Sequence, residues 1–341
     1  MDLDEKLVEK RLKKAIIFVV SIGVAILIAG IILVLFLTDA MDDATNSQME
    51  NEADEYKNRI YKQFDTDFQI LNTLATYIGF SGTRNSPNFE QRLQAANMGN
   101  DFVSMVYFDI EGEGTIVTMN QEIQRNVRLD SVQEELKQTI EKAWAGESSV
   151  SRLFESDTVE DKVFVYAVPV YENGNIIGAL AASDRIEIFA DILDGNGVLG
   201  GNGYIHMVGS EGKFLIRSER TVVKEPMESI FDGPYLNDNT VDDVERAFAN
   251  QECVFSSFQY EDKSYRFLLE PIGINGWYLF CVNTIQESSG YTYQIVKVVG
   301  ITFSGFLIFL LFLLFYGYRT VQKHNRELIY FAYHDTITGA D

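Results

Sequence analysis

Basic residues, cysteine and proline are all scarce in this chain, and each shortage narrows what it can be. Twenty-eight lysines and arginines stand against fifty aspartates and glutamates, for a formal charge of −22. Between Asp39 and Gln294 the imbalance sharpens to 19 basic and 43 acidic residues. Such a surface repels nucleic acid and anionic lipid headgroups, so no nucleic-acid partner is expected. The two cysteines, Cys253 and Cys281, fall on the first and third of three successive strand-like segments, Cys253 to Tyr260, Ser264 to Pro271 and Trp277 to Asn283. In a meander those outer strands lie about 9–10 Å apart, beyond the roughly 7 Å that a disulfide spans between Cα atoms. Both cysteines are therefore expected unpaired in a core. No proline occurs from Asn46 to Phe80, which leaves a long uninterrupted helix open to that stretch.

What the chain does have is two long apolar runs, Ala15 to Leu37 and Val298 to Tyr316. Each is long enough to cross a hydrocarbon core, which takes about 20 helical residues. A cleaved signal peptide would have a shorter core, about 7–15 residues, and a small-x-small site; Thr38-Asp39-Ala40-Met41 offers none that convinces. Lys10, Arg11, Lys13 and Lys14 precede the first run, and Arg319, Lys323 and Arg326 follow the second. By the positive-inside tendency both termini are cytoplasmic, and about residues 38–294 lie outside the cell membrane.

Between the runs, Met49, Ala53, Tyr56, Ile60, Phe64, Phe68, Leu71, Ala75 and Ile78 recur at three- and four-residue spacing, the pattern of one long amphipathic helix. Strand-period segments follow at Phe102 to Asp109 and Thr115 to Met119, joined through Glu111-Gly-Glu-Gly114. A helix fits Val132 to Trp144, and strands fit Ser149 to Phe154, Lys162 to Tyr171 and Ile176 to Ala182. After the glycine-rich stretch Gly195 to Gly203 the plan restarts: strands at Tyr204 to Gly209 and Phe214 to Arg217, a short helix at Val241 to Ala249, then the three cysteine-bearing segments. Strand, turn, strand, helix, then three strands occurs twice, which reads as two α+β modules of related plan.

This order resembles the double Cache sensor domains of bacterial transmembrane receptors. Trp144-Ala-Gly-Glu-Ser-Ser-Val-Ser-Arg152, Val163-Phe-Val-Tyr-Ala-Val-Pro-Val170 and Gly178-Ala-Leu-Ala-Ala-Ser-Asp184 are similar to the second half of the membrane-distal module. Gly203-Tyr-Ile-His-Met-Val-Gly-Ser-Glu-Gly212 and Gly276-Trp277-Tyr-Leu resemble the opening and closing strands of the proximal one. The resemblance implies an α+β fold of two PAS-like modules on a long N-terminal helix flanked by two transmembrane helices. It divides the chain into a cytoplasmic N-terminus (1–14), a first span (15–37), a spine helix (38–80), a distal module (81–194), a proximal module (195–290), a second span (295–317) and a cytoplasmic linker (318–341).

Leu328-Ile-Tyr-Phe-Ala-Tyr-His-Asp-Thr-Ile-Thr-Gly339 resembles the opening of a GGDEF domain, the diguanylate cyclase module, with Ile337 and Ala340 in place of the usual leucines. The Gly-Gly-Asp-Glu-Phe signature itself is absent from these residues. The resemblance implies cyclic di-GMP output by a module beyond Asp341, with GTP and Mg2+ belonging to that module and no cofactor expected within residues 1–341. Such a cyclase needs two facing active sites, hence a homodimer; Val321, Leu328 and Phe331 nearly follow heptad spacing. His334 and Asp335 alone complete no metal site.

The expected ligand is a small extracellular molecule held in the distal module by Tyr107, Arg125, Arg128, Arg152, Tyr166 and Asp184, on the sheet's helix-facing side and its covering loop. Arginine pairs with a carboxylate through two parallel hydrogen bonds, and Asp184 would meet an amine. By resemblance, Asp184 falls where amino-acid-binding Cache domains place their amine-binding aspartate, but their upstream Arg-x-Trp-Tyr stretch is missing here. Each residue also has a structural reading, the tyrosines as core aromatics and the arginines as surface charges. Two other classes stay open: an adhesive membrane protein without a metabolite ligand, and a sensor acting through a separate kinase or chemotaxis partner.

Overall fold

The computed structural model of the chain describes residues 2–81, 86, 88–156, 162–194 and 203–333. The His334-Asp335 turn and most of the glycine-rich stretch lie outside the described residues. The chain divides into two units, one of residues Met1–Thr45 with Glu287–Asp341 and one of Asn46–Gln286.

The first unit is helical, built from the start of α1 (Asp2–Ser81) and most of α6 (Ile285–Tyr333). Both segments are long and apolar enough to cross a membrane. Among the described residues most of their side chains are exposed, including Ile28, Ile32, Phe36, Ile308 and Phe312. Apolar surface of that length is stable only in an apolar solvent.

The second unit holds two antiparallel sheets against the rest of α1. The first sheet has the order β3-β2-β1-β7-β6-β4, with β5 also on β6. Its strands are β1 (Ser104–Asp109), β2 (Glu113–Thr118), β3 (Ile123–Arg128), β4 (Ser149–Val150), β5 (Phe154–Glu155), β6 (Lys162–Glu172) and β7 (Asn175–Arg185). The second has the order β10-β11-β12-β8-β9, from β8 (Gly203–Val208), β9 (Phe214–Ile216), β10 (Val254–Tyr260), β11 (Lys263–Pro271) and β12 (Tyr278–Thr284). Helices α2 (Phe89–Gly99), α3 (Glu134–Trp144), α4 (Ala190–Leu193) and α5 (Asp238–Asn250) complete it. This is the α+β, PAS-like architecture expected.

Local chemistry explains the elements. The β6–β7 hairpin closes on Asn173-Gly174, both at positive φ (54° and 83°), as the tight turn that suits the strands' twist demands. In α1, Met49, Ala53, Tyr56, Ile60, Phe64, Leu71, Ala75 and Ile78 are all buried. They share one cluster with residues of both sheets, including Phe164, Val168 and Leu180 of the first and Ile205, Met207, Leu268 and Leu279 of the second. Each fully buried large apolar side chain contributes roughly 1.5–3 kcal/mol, so one helix stripe secures both sheets.

Two expectations change, and one element is new. The stretch from Phe89 to Gly99 is helical, with Phe89, Leu93 and Asn97 on a buried face. Arg125 and Arg128, expected on the sheet's helix-facing side or its covering loop, are on the edge strand β3, joined to β2 through a register shift with Asn126 in the left-handed region. Cys253 is exposed rather than in a core, because it precedes β10; Cys281 is buried, and neither is bonded.

Candidate functional site

Strand parity divides the first sheet into two faces of different chemistry. Residues directly opposite in an antiparallel pair point the same way. Asp184 pairs with Phe164 and Ser183 with Val165 and Ser104. Phe164 belongs to the cluster on α1, while Val165 belongs to the cluster on α3. Asp184 therefore faces the spine helix and Ser183 faces α3.

On the spine side lies a buried polar cluster within an apolar wall. Tyr166, wholly buried, donates its hydroxyl to Asp67 Oδ2 at 2.8 Å. Gln63 Nε2 donates to both Asp67 oxygens at 3.1 and 3.2 Å. Burial raises the Asp67 carboxyl above its ordinary range, and these two donors partly offset it. Asp184 accepts the Arg185 backbone N–H at 2.8 Å. Burial, reinforced by repulsion from Asp67 and Asp101, pushes its carboxyl up to about 7. Tyr107 is on the same face, edge-on to Phe89 of α2 with centroids 5.4 Å apart.

On the other side α3 lies over small residues. Ala167, Ala179 and Ala181 meet Leu136, Ile140 and Ala143 there. Toward Ser104 and Ser183 the packing opens into a cavity of about 40 Å³, walled by those serines, Gln133, Leu136, Phe154, Ser156, Val163 and Val165. The Ser104 and Ser183 hydroxyls are 2.6 Å apart and buried. Gln133, just before α3, donates its amide to the Glu155 carbonyl at 2.6 Å, tying the start of that helix to β5.

The six expected site residues do not converge. Tyr107, Tyr166 and Asp184 share the spine-facing side. Arg125 is on β3, exposed, and paired with Glu90 of α2 at 2.6 Å. Arg128 and Arg152 are exposed, and none of the three arginines lines the cavity. Asp67, Ser104 and Ser183 were not anticipated. Asp67 had a legible signal: it stands three residues after Phe64 and four before Leu71, a carboxylate inside the apolar stripe. The serines had only parity to mark them.

The second sheet fills its corresponding face with rings. Tyr204, Tyr235, Phe258, Phe267, Tyr278 and Phe280 form one buried cluster, with Tyr235 5.0 Å from Phe258 and 5.1 Å from Phe280, centroid to centroid. His206 is fully buried among them, its Nδ1 accepting the Ser218 N–H at 2.9 Å. Burial, with the Arg217 charge adding to it, lowers its pKa to about 3, so the ring is neutral. Trp277 joins the two sheets by touching Phe64 of α1 and Phe164 of β6, at centroid distances of 6.2 and 5.9 Å. Asn275 Nδ2 donates across to the Ser151 carbonyl at 2.7 Å.

The model of the Cache domain family matches residues 37–290. Among solved structures, the chain is similar to the sensory domain of the Campylobacter jejuni chemoreceptor Tlp3 with isoleucine bound, at TM-score 0.55 and 10% identity over 74% of this chain and 97% of that one. It is also similar to the ligand-binding domain of the Pseudomonas fluorescens chemoreceptor CtaA in complex with L-isoleucine, at TM-score 0.51 and 12% identity over 74% and 98%. At such identities these likenesses speak to fold alone. No curated protein matches the chain in sequence.

Proposed function

Because the chain belongs to the Cache domain family, we propose that it is a membrane receptor whose distal module binds a small extracellular molecule and controls a cytoplasmic output. The carrying observation is the serine-lined cavity between the first sheet and α3, set against a second sheet whose equivalent face is packed with aromatic rings. Chemoreceptor domains of this fold bind isoleucine, and a metabolite of modest size is the ligand class inferred here. The two apolar helical segments anchor the receptor in the bilayer, with residues between them outside the cell.

Binding alters the first sheet and, through Phe164, Trp277 and Phe64, the helix on which both sheets rest. Ligand moves such an equilibrium only by its difference in affinity for the two states. The output we favour is cyclic di-GMP synthesis by a module following residue 341, in a homodimer, because Leu328 to Gly339 resembles the start of a GGDEF domain. A chemotaxis partner is the second reading, supported by the chemoreceptor likeness.

The test uses the full chain in nanodiscs, melted against amino acids, amines, carboxylates and nucleobases, beside Ser183→Leu, which fills the cavity. A stabilising compound should lose its effect in that variant, while a shift that survives Ser183→Leu places the site elsewhere. For output, cyclic di-GMP in cells carrying the complete gene product should change with the same compound and not in Ser183→Leu.

A further inference from the structure

The cavity at Ser104 and Ser183 differs from a site built for a zwitterion. Its walls among the described residues carry hydroxyls, one carboxamide and apolar side chains, and no charged group. The carboxylate next in sequence, Asp184, is turned to the opposite face by the strand's two-residue period. An ionic ligand group buried there would lose its hydration without a counter-charge, a large cost.

Size narrows the class further. A cavity of about 40 Å³ corresponds to about three to four waters at roughly 10–15 Å³ each. Hydrogen-bonding capacity agrees with a neutral occupant. In the Ser104–Ser183 pair one hydroxyl proton is spent on the mutual bond, which leaves one donor and several acceptor lone pairs. A primary amide or a short alcohol both donates and accepts, whereas a carboxylate only accepts and an amidinium only donates.

Resting on the receptor reading above, we propose that the distal cavity selects an uncharged amide or alcohol of about four non-hydrogen atoms, its polar end on Ser104 and Ser183 and its apolar end on Val106, Leu136 and Val165. A ligand so small binds no tighter than tens of micromolar.

Acetamide, acetate and acetamidinium have the same shape and differ in charge. Their binding to the full chain in nanodiscs, measured by saturation-transfer NMR at matched ionic strength, separates the possibilities. Acetamide should bind saturably, and Ser183→Ala should weaken it about tenfold by removing one hydrogen bond, with acetate and acetamidinium silent. Acetate or acetamidinium binding that Ser183→Ala weakens would overturn the neutral class and leave the distal site standing. Acetamide binding untouched by both Ser183→Ala and Ser183→Leu would overturn the site itself. Silence from all three would overturn the neutral class, and the compound panel with Ser183→Leu would then judge the site independently.

Discussion

The two sheets share a strand plan and a supporting helix, yet their outward faces have opposite fillings. Where the first sheet places Ala167, Ala179, Ala181, Ser104 and Ser183 beneath α3, the second places Tyr204, His206, Phe267, Tyr278 and Phe280. Small side chains on a strand leave volume that a helix cannot completely fill; large aromatic ones take up more of it. The first sheet thus keeps a small cavity beside Ser104 and Ser183 on this face, whereas the second carries a cluster of rings there, and side-chain volume accounts for the contrast.

The largest expected effect is in the filled module. Tyr235→Ala should cost about 3–5 kcal/mol, as a large ring lost from a tight core does, read as a lower urea midpoint at unchanged slope. A loss under about 1 kcal/mol would show that the proximal face has slack of its own and dissolve the contrast.

Acid should separate the modules by sign. Asp184 has a raised folded carboxyl, about 7 against 3.8, so between those values the folded state holds the extra proton. Its contribution is full below the unfolded pKa and declines as pH rises to 7, by a few kcal/mol at most. His206 works the other way. Its folded pKa is about 3 against 6.5, so stability is full above 6.5 and falls as pH drops toward 3. Asp184→Asn should remove the decline toward neutrality, and His206→Phe the decline toward acid, in melting temperatures taken across that range. The same pH slope in both variants would contradict the assignment.

Tyr166→Phe, which removes the hydroxyl from Asp67, should cost about 1–3 kcal/mol because it leaves a buried carboxylate short of a donor. Asp67→Asn combined with it should recover part of that loss, as read in a double-mutant cycle by thermal melting. The smallest effect is expected at the rim: Arg125→Ala breaks a pair in which the arginine side chain is 57% exposed, and the melting temperature should not move measurably. A clear drop would mean that α2 is held to the sheet by that ion pair rather than by Phe89 and Leu93.

Much of this arrangement was legible in the chain. The stripe from Met49 to Ile78, the Asn173-Gly174 turn and the strand alternation of Lys162 to Ala182 give local signals strong enough to stand alone. Helix α2 and strand β3 were not legible, since one has a weak apolar face and the other carries mainly polar residues and bends at Asn126. The exposure of three of the expected residues was illegible for a related reason. Arg125, Arg128 and Arg152 have the chemistry of a carboxylate clamp, but their partners and exposure are set by neighbours far away in sequence.

By itself the sequence determined the two apolar runs, the long helix and the doubled α+β plan, because each is written in a period of hydrophobicity that local geometry obeys. Only the tertiary structure decided that Ser183 looks into a cavity and Asp184 into the spine, because one residue of strand register chooses the face. It also decided that Asp67 is a buried partner of Tyr166, since burial belongs to the packed surfaces and not to the residue.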